Sequence, residues 1–172
     1  MQAKPMSASR TYMTDIVLPP DTNYHGTMFG GKVMAYVDKI ASVAAMRHCR
    51  SAVVTASNDS LDFLHPIRVG QAICLEAFVT WTHTTSMEIF VQVESEDLLT
   101  GERHLTATSY LTFVAIDGNG KSIPVPPVYP ETEEEKFHYN SAQDRYRIRK
   151  ERREHRKQHQ KFYDAQGQSQ QD

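Results

Sequence analysis

The sequence has little of what marks secreted, membrane-spanning or redox-active proteins. Only two of its 172 residues are cysteines, and Cys49 and Cys74 form no CxxC pair. No apolar run approaches the roughly 18 residues that a membrane helix needs. The first ten residues, MQAKPMSASR, lack the apolar segment of a secretory signal. We therefore expect a cytoplasmic protein with reduced thiols and no membrane association.

Several catalytic and cofactor-binding motifs are missing as well. The chain has no GxSxG nucleophile motif and no phosphate-binding loop. Its eight histidines include no HExxH pattern. His155 and His159 are four residues apart, but they belong to a strongly basic segment that is expected to be exposed. The sequence therefore predicts neither a metal site nor a bound cofactor.

Charge is distributed unevenly along the chain. Residues 145–161 contain nine of the 19 lysines and arginines, whereas residues 1–144 carry ten basic and 17 acidic side chains. The composition changes after the proline-rich segment SIPVPPVYP. We predict one folded domain over residues 1–130 and a charged C-terminal tail, helical to disordered, over residues 131–172. The tail has too few apolar positions to belong to the core.

The hydrophobic pattern predicts a mixed α+β domain. A long helix is expected over Phe29–His48, because only four residues between 33 and 46 are polar, and a helix that is apolar nearly all round is usually buried. One short strand precedes it, within TYMTDIVLPPD, and alternating strands follow in QAICLEAFVTWT, SMEIFVQVESE and LTATSYLTFVAI. AVVTAS and DSLDFLHPI form two further β-rich pieces. A curved antiparallel sheet wrapped around one long central helix satisfies this order, and its open edge predicts an oligomer.

The start of the helix is a candidate site for chemistry. Gly30 and Gly31 open it, and the first N–H groups of a helix are unpaired and carry a partial positive charge. Glycine allows close approach, so a carbonyl oxygen that becomes negative could be held there. Asp38 follows two turns later on an apolar face, where a carboxylate is either structural or catalytic. Asn23 precedes the glycines. An asparagine at such a position could also be a loop residue that forms an Asx turn, which is common.

A family resemblance joins these features. The segment PPDTNYHGTMFGGKVMAYVD resembles the signature of hotdog-fold acyl-CoA thioesterases, in particular the bacterial and brain-type acyl-CoA hydrolases. Further similar segments are LDFLHPIRVGQ, TWTHTTSMEIFVQVESEDLLTG and ATSYLTFVAIDGNGKSIPVP, so the resemblance covers roughly residues 10–128. It implies a hotdog fold, and an enzyme that hydrolyses fatty acyl-CoA to free acid and CoA. It implies no cofactor, since coenzyme A is part of the substrate.

The resemblance also implies roles for individual residues. Asp38 corresponds to the family's acidic residue, acting as general base on water or as nucleophile. Asn23 corresponds to its polar partner, and the backbone of Gly31, next to Gly30, to its oxyanion donor. The implied substrate-binding residues are His25, Phe63, Arg68, Thr85 and Ser86. Family members place their active sites at a dimer interface, which implies self-association as dimers and a hexamer built as a trimer of dimers.

One alternative function stays open on the sequence alone. A non-catalytic hotdog protein could sense acyl-CoA and use its basic tail to bind a partner. The tail is basic enough for weak electrostatic attachment to nucleic acid, but it has no interleaved aromatic residues and no recognition motif. We therefore do not expect nucleic acid as a partner. The joint presence of Asn23, the glycine pair and Asp38 favours catalysis.

Overall fold

In the computed structural model, which describes residues 1–168, a long helix packs against an antiparallel sheet. The helices are α1 (Gly30–Cys49) and α2 (Glu133–Gln168). The strands are β1 (Lys4–Pro5), β2 (Thr11–Ile16), β3 (Ala52–Phe63), β4 (Ala72–Thr82), β5 (Ser86–Glu96), β6 (Arg103–Ile116) and β7 (Val128–Tyr129). This is the predicted order of a short strand, a long helix and then long strands, so the predicted α+β class is confirmed.

The main sheet has five antiparallel strands in the order β2-β4-β5-β6-β3, and β1 and β7 form a separate parallel pair. The predicted hairpin between β5 and β6 is present, with Gly101 at a φ of 76° where a left-handed conformation is needed. The two β-rich pieces predicted for residues 52–67 are one strand, β3, of 12 residues. Register irregularities follow Thr55 and Asn58, which explains why the sequence pattern looked interrupted.

Helix α1 buries one face against the sheet. Its buried residues are Val33, Val37, Ile40, Ala41, Ala44, Ala45 and His48. They pack in one core with alternate residues of β4 and β5, such as Ile73 and Ile89, as the alternation predicted. The opposite side of this mostly apolar helix is uncovered in the single chain, where Met34 and Met46 are 49% and 42% exposed. A single sheet covers only one side of a helix, so the other side is open.

Both edges of the sheet are available for further pairing. Strand β2 forms one edge and the longer strand β3 forms the other. Most residues of β3 are exposed, including the apolar Val54 and Phe63. A long edge strand next to an open apolar helix face is typical of a surface covered by another subunit.

The first two turns of α2 pack on the sheet face opposite to α1. Thr132 and Glu135 form a capping box, since each side chain accepts a hydrogen bond from the other residue's backbone N–H at 3.2 Å. The buried Glu135 also accepts a hydrogen bond of 3.0 Å from Arg10. His138 is hydrogen-bonded to Tyr110 of β6 at 2.8 Å. These contacts tie the start of the tail to the sheet.

The chain divides into two compact units, Met1–Tyr139 and a second that begins at Asn140. The first unit therefore extends past the predicted boundary after residue 130. The division into a thioesterase-like domain and a tail with a separate role stays a prediction. The predicted tail is helical from Glu133 to Gln168, and its last four residues lie outside the described part of the chain. No helix within the described residues is long and apolar enough to cross a membrane.

Candidate active site

The N-terminal end of α1 is open, as the sequence predicted. The backbone N–H groups of Lys32 and Val33 both donate to the carbonyl of Phe29, at 2.8 and 3.2 Å. The N–H groups of Gly30 and Gly31 lie in the first turn, where an α-helix has no carbonyl to accept their hydrogen bonds. Phe29, at the N-cap position, makes no side-chain cap hydrogen bond. Two backbone donors at the positive end of the helix dipole are thus available to a ligand.

Backbone conformation does not require the glycine pair, because neither residue has a positive φ. A Cβ atom on Gly31 would lie 2.9 Å from Cε1 of Phe29, closer than such atoms approach. A Cβ atom on Gly30 would lie 3.4 Å from Cζ of Phe63, which is an ordinary contact. The crowding therefore falls on Gly31, where a side chain would have to displace the exposed ring of Phe29.

A cavity of about 290 Å³ lies beside this helix start. It is lined by Thr27, Met28, Gly30, Val33, Phe63, Leu64, His65, Pro66, Ile67 and Thr106. Most of these side chains are apolar, which suits an acyl chain or the pantetheine arm of a thioester. The cavity lies between the start of α1 and the end of β3. Two of the predicted site residues, Gly30 and Phe63, thus meet in its wall.

The loop before the helix is held by Asn23. Its Oδ1 accepts hydrogen bonds from the N–H of His25 at 2.9 Å and of Thr27 at 3.4 Å. Its Nδ2 donates to Oγ1 of Thr27 at 3.1 Å. His25 is exposed, and Thr27 forms a β-bridge with Arg68, so both predicted substrate-binding residues share this loop region. These hydrogen bonds fix the loop around Asn23, and its role as the polar partner in catalysis stays a prediction.

Asp38 is exposed, on the side of α1 that the sheet leaves uncovered. The apolar face on which the sequence places Asp38 is thus only partly covered in the single chain, because Ala41 and Ala45 of that face are buried and Asp38 is not. Oγ1 of Thr55, on β3, donates a hydrogen bond of 2.8 Å to Oδ1 of Asp38. No other hydrogen bond to this carboxylate is found in the part of the chain that the structure describes. Asp38 is thus held in place but free to act as a base.

The remaining predicted substrate-binding residues lie elsewhere. Ser86 pairs with Val114 of β6, whereas Phe63 pairs with Ala107, seven residues away along the same strand. At about 3.3 Å per residue, Ser86 and its neighbour Thr85 are roughly 23 Å from the cavity. Within one chain the structure does not bring Thr85 and Ser86 to the helix start.

Two ion-pair or hydrogen-bond contacts brace the helix near the site. Nζ of Lys32 lies 2.9 Å from Oδ1 of Asp21, and this hydrogen bond lowers the pKa of the aspartate. The hydroxyl of Tyr36 donates to Asp15, and this contact with a carboxylate raises the pKa of Tyr36 to about 12. Both contacts fasten the first two turns of α1 to the segment before it. Among the described residues, no three histidine, cysteine, aspartate or glutamate side chains are grouped to hold a metal ion.

Thr55 is the site residue that the sequence reasoning missed. Nothing in the local pattern distinguishes it, because threonine is common in strands. The available signal was indirect: β3 follows α1 after a short turn and must return alongside it, so a polar side chain on β3 can meet a polar side chain on α1.

Comparisons with known proteins place this geometry in a family. Residues 25–102 match the Thioesterase superfamily. The chain is 57% identical over 147 residues, 86% of each protein, to a Bacillus subtilis protein named as an uncharacterized acyl-CoA thioester hydrolase, YkhA. It is 57% identical to a hexameric acyl-CoA thioesterase of known structure, with a TM-score of 0.87 over 88% of this chain and 97% of that one. A Staphylococcus aureus acyl-CoA hydrolase, solved with butyryl-CoA and CoA, is 47% identical to this chain. The two structures superpose with a TM-score of 0.89, over 93% of this chain and 98% of that one.

The Staphylococcus aureus hydrolase has also been solved with an asparagine, an aspartate or a threonine replaced by alanine. In that protein the aspartate follows the asparagine by 15 residues and the threonine follows the aspartate by 17. Asn23, Asp38 and Thr55 are separated by the same 15 and 17 positions here. With this fold and these similarities, the chain belongs to the Thioesterase superfamily, among its hotdog-fold acyl-CoA hydrolases.

Proposed function

We propose that this protein hydrolyses fatty acyl-CoA to the free acid and CoA, with Asp38 as the base and the N–H of Gly31 as the oxyanion donor. The observation that carries the proposal is the carboxylate of Asp38, exposed on α1 and held at 2.8 Å by Thr55. Support comes from the spacing of Asn23, Asp38 and Thr55, which matches the substituted residues of the Staphylococcus aureus hydrolase.

The two proposed catalytic groups of one chain are too far apart to act on one carbonyl. Asp38 follows Gly31 by seven residues, so the two are about 10 Å apart along the helix axis. General-base catalysis requires hydrogen-bond reach, directly or through one water. One chain therefore provides two half-sites, a donor end and a base.

We infer that a complete site forms between two subunits, with the Gly31 and Asn23 end of one next to Asp38 of the other. The uncovered side of α1 and the exposed edge of β3 provide the surface for that contact, since Met34, Val54 and Phe63 are all 45–51% exposed. Burial against a second subunit would also desolvate the carboxylate of Asp38, which makes it a stronger base. Thr85 and Ser86 of a neighbouring subunit would then contact the CoA portion of the bound substrate.

The chemistry needs no further group. The thioester oxygen binds the N–H of Gly31, which stabilises the negative charge that develops on it. Asp38 takes a proton from a water molecule as the water oxygen attacks the carbonyl carbon. The carbon–sulfur bond then breaks, and the CoA thiolate leaves and takes up a proton. Direct attack by Asp38 would give a mixed anhydride instead and release the CoA thiolate. Water that then attacks the aspartyl carbon of this anhydride would leave ¹⁸O in the enzyme carboxylate after a single turnover in ¹⁸O-water, which general-base catalysis does not do.

Thiol release from saturated acyl-CoAs of increasing length tests the proposal. We expect turnover that persists in the presence of a chelator, and a loss of about 10²- to 10⁴-fold in kcat for Asp38→Asn. Asp164→Asn, an exposed aspartate near the end of α2, is the matched control and should leave kcat unchanged. Acyl-CoA binding without thiol release would instead support the acyl-CoA-sensing alternative, and zinc-dependent recovery after chelation would contradict the mechanism.

Mixing two inactive variants tests the shared site. Asn23→Ala and Asp38→Asn subunits, unfolded and refolded together, should regain activity, because a mixed dimer has one site with both residues intact. Random pairing predicts recovery to about a quarter of the wild-type rate. If the mixture stays as inactive as either variant alone, all catalytic groups come from one chain.

The assembly and location follow from the same proposal. By similarity to the hexameric thioesterase, we expect a hexamer made of three such dimers, which sedimentation would distinguish from a monomer of 19.6 kDa. We expect the protein to act in the cytoplasm on its CoA substrate without a bound cofactor.

A further inference from the structure

The part of helix α2 that follows Tyr139 is the strongest charge feature that the proposed mechanism does not use. Residues 140–168 carry nine basic and four acidic side chains. Residues 1–139, which contain every proposed catalytic residue, carry ten basic and 16 acidic side chains. The catalytic unit is therefore negative and the second unit positive. Such a separation within one chain acts on any charged substrate.

Four exposed cations on α2 form one continuous surface, called here the basic face. It consists of Lys150, Arg153, Arg156 and Lys157. At 100° per residue these positions fall within a sector of about 120° of the helix. Glu151 lies outside that sector, and Glu154 lies at its edge. Glu154 pairs with Lys157 at 2.9 Å and its pKa is lowered by that contact and by the charges of Arg153 and Lys150, so it offsets one of the four positive charges. The basic face is about 10 Å long, because its first and last members are seven positions apart on the helix.

The composition of the basic face narrows the kind of ligand it suits. No residue from 150 to 157 is apolar, so this part of the helix has nothing to insert into a lipid surface. Four cations over about 10 Å match a compact polyanion better than a long polymer, which would contact many more charges. Two of the four are arginines, whose planar guanidinium groups bind phosphate through paired hydrogen bonds.

The nucleotide end of coenzyme A has this chemistry. It carries a 3′-phosphate and a diphosphate, about four negative charges at neutral pH within a similar length. We propose that the basic face attracts and binds the phosphorylated nucleotide end of acyl-CoA. This inference rests on the proposed acyl-CoA hydrolase function. It assigns the tail a role in capturing the substrate and none in the chemical step.

The negative charge of the catalytic unit is the physical reason why capture by the basic face would help binding. An excess of six acidic side chains opposes the approach of a polyanionic substrate, and clustered cations on the same chain offset that repulsion. Such attraction extends over about 30 Å at 0.01 M salt and only about 3 Å at 1 M salt. The contribution of the basic face should therefore appear in kcat/KM at low salt and disappear as salt is added.

The test compares two double variants with equal loss of charge on two substrates. Arg153→Gln with Arg156→Gln removes half of the basic face. Lys121→Gln with Arg147→Gln is the control, since Lys121 lies in an exposed turn of the first unit and Arg147 lies on another side of α2, 3.3 Å from Asp144. The substrates are butyryl-CoA and S-butyryl-pantetheine, which has the same thioester but no phosphate.

We expect the basic-face variant to lose about three- to tenfold in kcat/KM for butyryl-CoA at low salt, mostly through KM, and nothing for S-butyryl-pantetheine. The control should change neither, and the difference should vanish at high salt. Equal losses on both substrates, equal losses in both variants, or an unchanged kcat/KM for butyryl-CoA would each overturn the inference. Because S-butyryl-pantetheine reports thioester hydrolysis alone, its turnover by the wild type shows whether the proposed function itself holds.

Discussion

Thr55 on strand β3 donates a hydrogen bond of 2.8 Å to the carboxylate of Asp38 on helix α1. The two residues are 17 positions apart, and β3 brings them together as it returns alongside the helix. The bond leaves Oδ2 of Asp38 available to a water molecule while it fixes the orientation of the carboxylate. Thr55 is thus a positioning residue for the proposed base.

Replacing Thr55 tests this relationship. We expect Thr55→Val, which keeps the shape but removes the hydroxyl, to lower kcat about 10- to 100-fold with little change in KM, because a misplaced catalytic group costs rate rather than binding. Thr55→Ser retains the donor and should recover most of the activity. Steady-state kinetics of both variants decide the matter. A Thr55→Val enzyme as fast as Thr55→Ser would show that the hydrogen bond has no role in turnover.

The two glycines at the start of α1 should respond differently to alanine. A Cβ atom at Gly31 would approach Phe29 to 2.9 Å, whereas one at Gly30 would make an ordinary contact with Phe63 at 3.4 Å. We expect Gly31→Ala to lower kcat by about tenfold or more, because it obstructs the proposed oxyanion donor, and Gly30→Ala to have a smaller effect. Adding Phe29→Leu to Gly31→Ala separates the two causes: recovered activity would mean that displacement of the ring, rather than obstruction of the N–H, was responsible.

The place at which α2 is truncated should decide whether the protein folds. Arg10 is hydrogen-bonded to Glu135, and Tyr110 to His138, so the first two turns of α2 belong to the packed sheet. We expect a chain ending at Tyr139 to keep its fold, and one ending at Val128 to be destabilised because it leaves Arg10 without the buried Glu135. Thermal unfolding of both truncated chains tests this expectation. If both had the same melting temperature, the contacts of Glu135 and His138 would not contribute to stability.

His48 should make the stability depend on pH. Its ring is fully buried, Nε2 lies 2.8 Å from the carbonyl of Pro126, and Nδ1 has no hydrogen-bond partner. Burial lowers the pKa of His48 below its usual value. The unfolded chain therefore binds a proton more readily than the folded one, so stability is full above about pH 6.5 and declines as the pH falls towards the lowered value.

Urea unfolding of the wild type and of His48→Gln at pH 7.5 and 5.5 tests this expectation. The glutamine variant is less stable overall but lacks the titrating ring, so its midpoint should change less between the two pH values. A wild-type midpoint that shifts no more than that of the variant would exclude His48 as the cause.

Much of the fold could be predicted because its signals are local. Alternation of apolar residues identified β4 and β5, the glycine pair located the start of α1 within one residue, and Gly101 marked the hairpin between β5 and β6. The long strand β3 was harder to predict, because its register irregularities break the alternation that identifies a strand.

The sequence by itself determined the class of the fold, the open helix start at Gly31 and the candidate base Asp38, because each depends on residue type and short-range spacing. Only the tertiary structure decided that Asp38 is exposed and that Thr55 holds it. Which face of a helix is buried depends on where the sheet lies, and a contact between residues 17 apart depends on the path of the chain between them. For the same reason, the fastening of the charged tail to the sheet through Glu135 is absent from any local pattern.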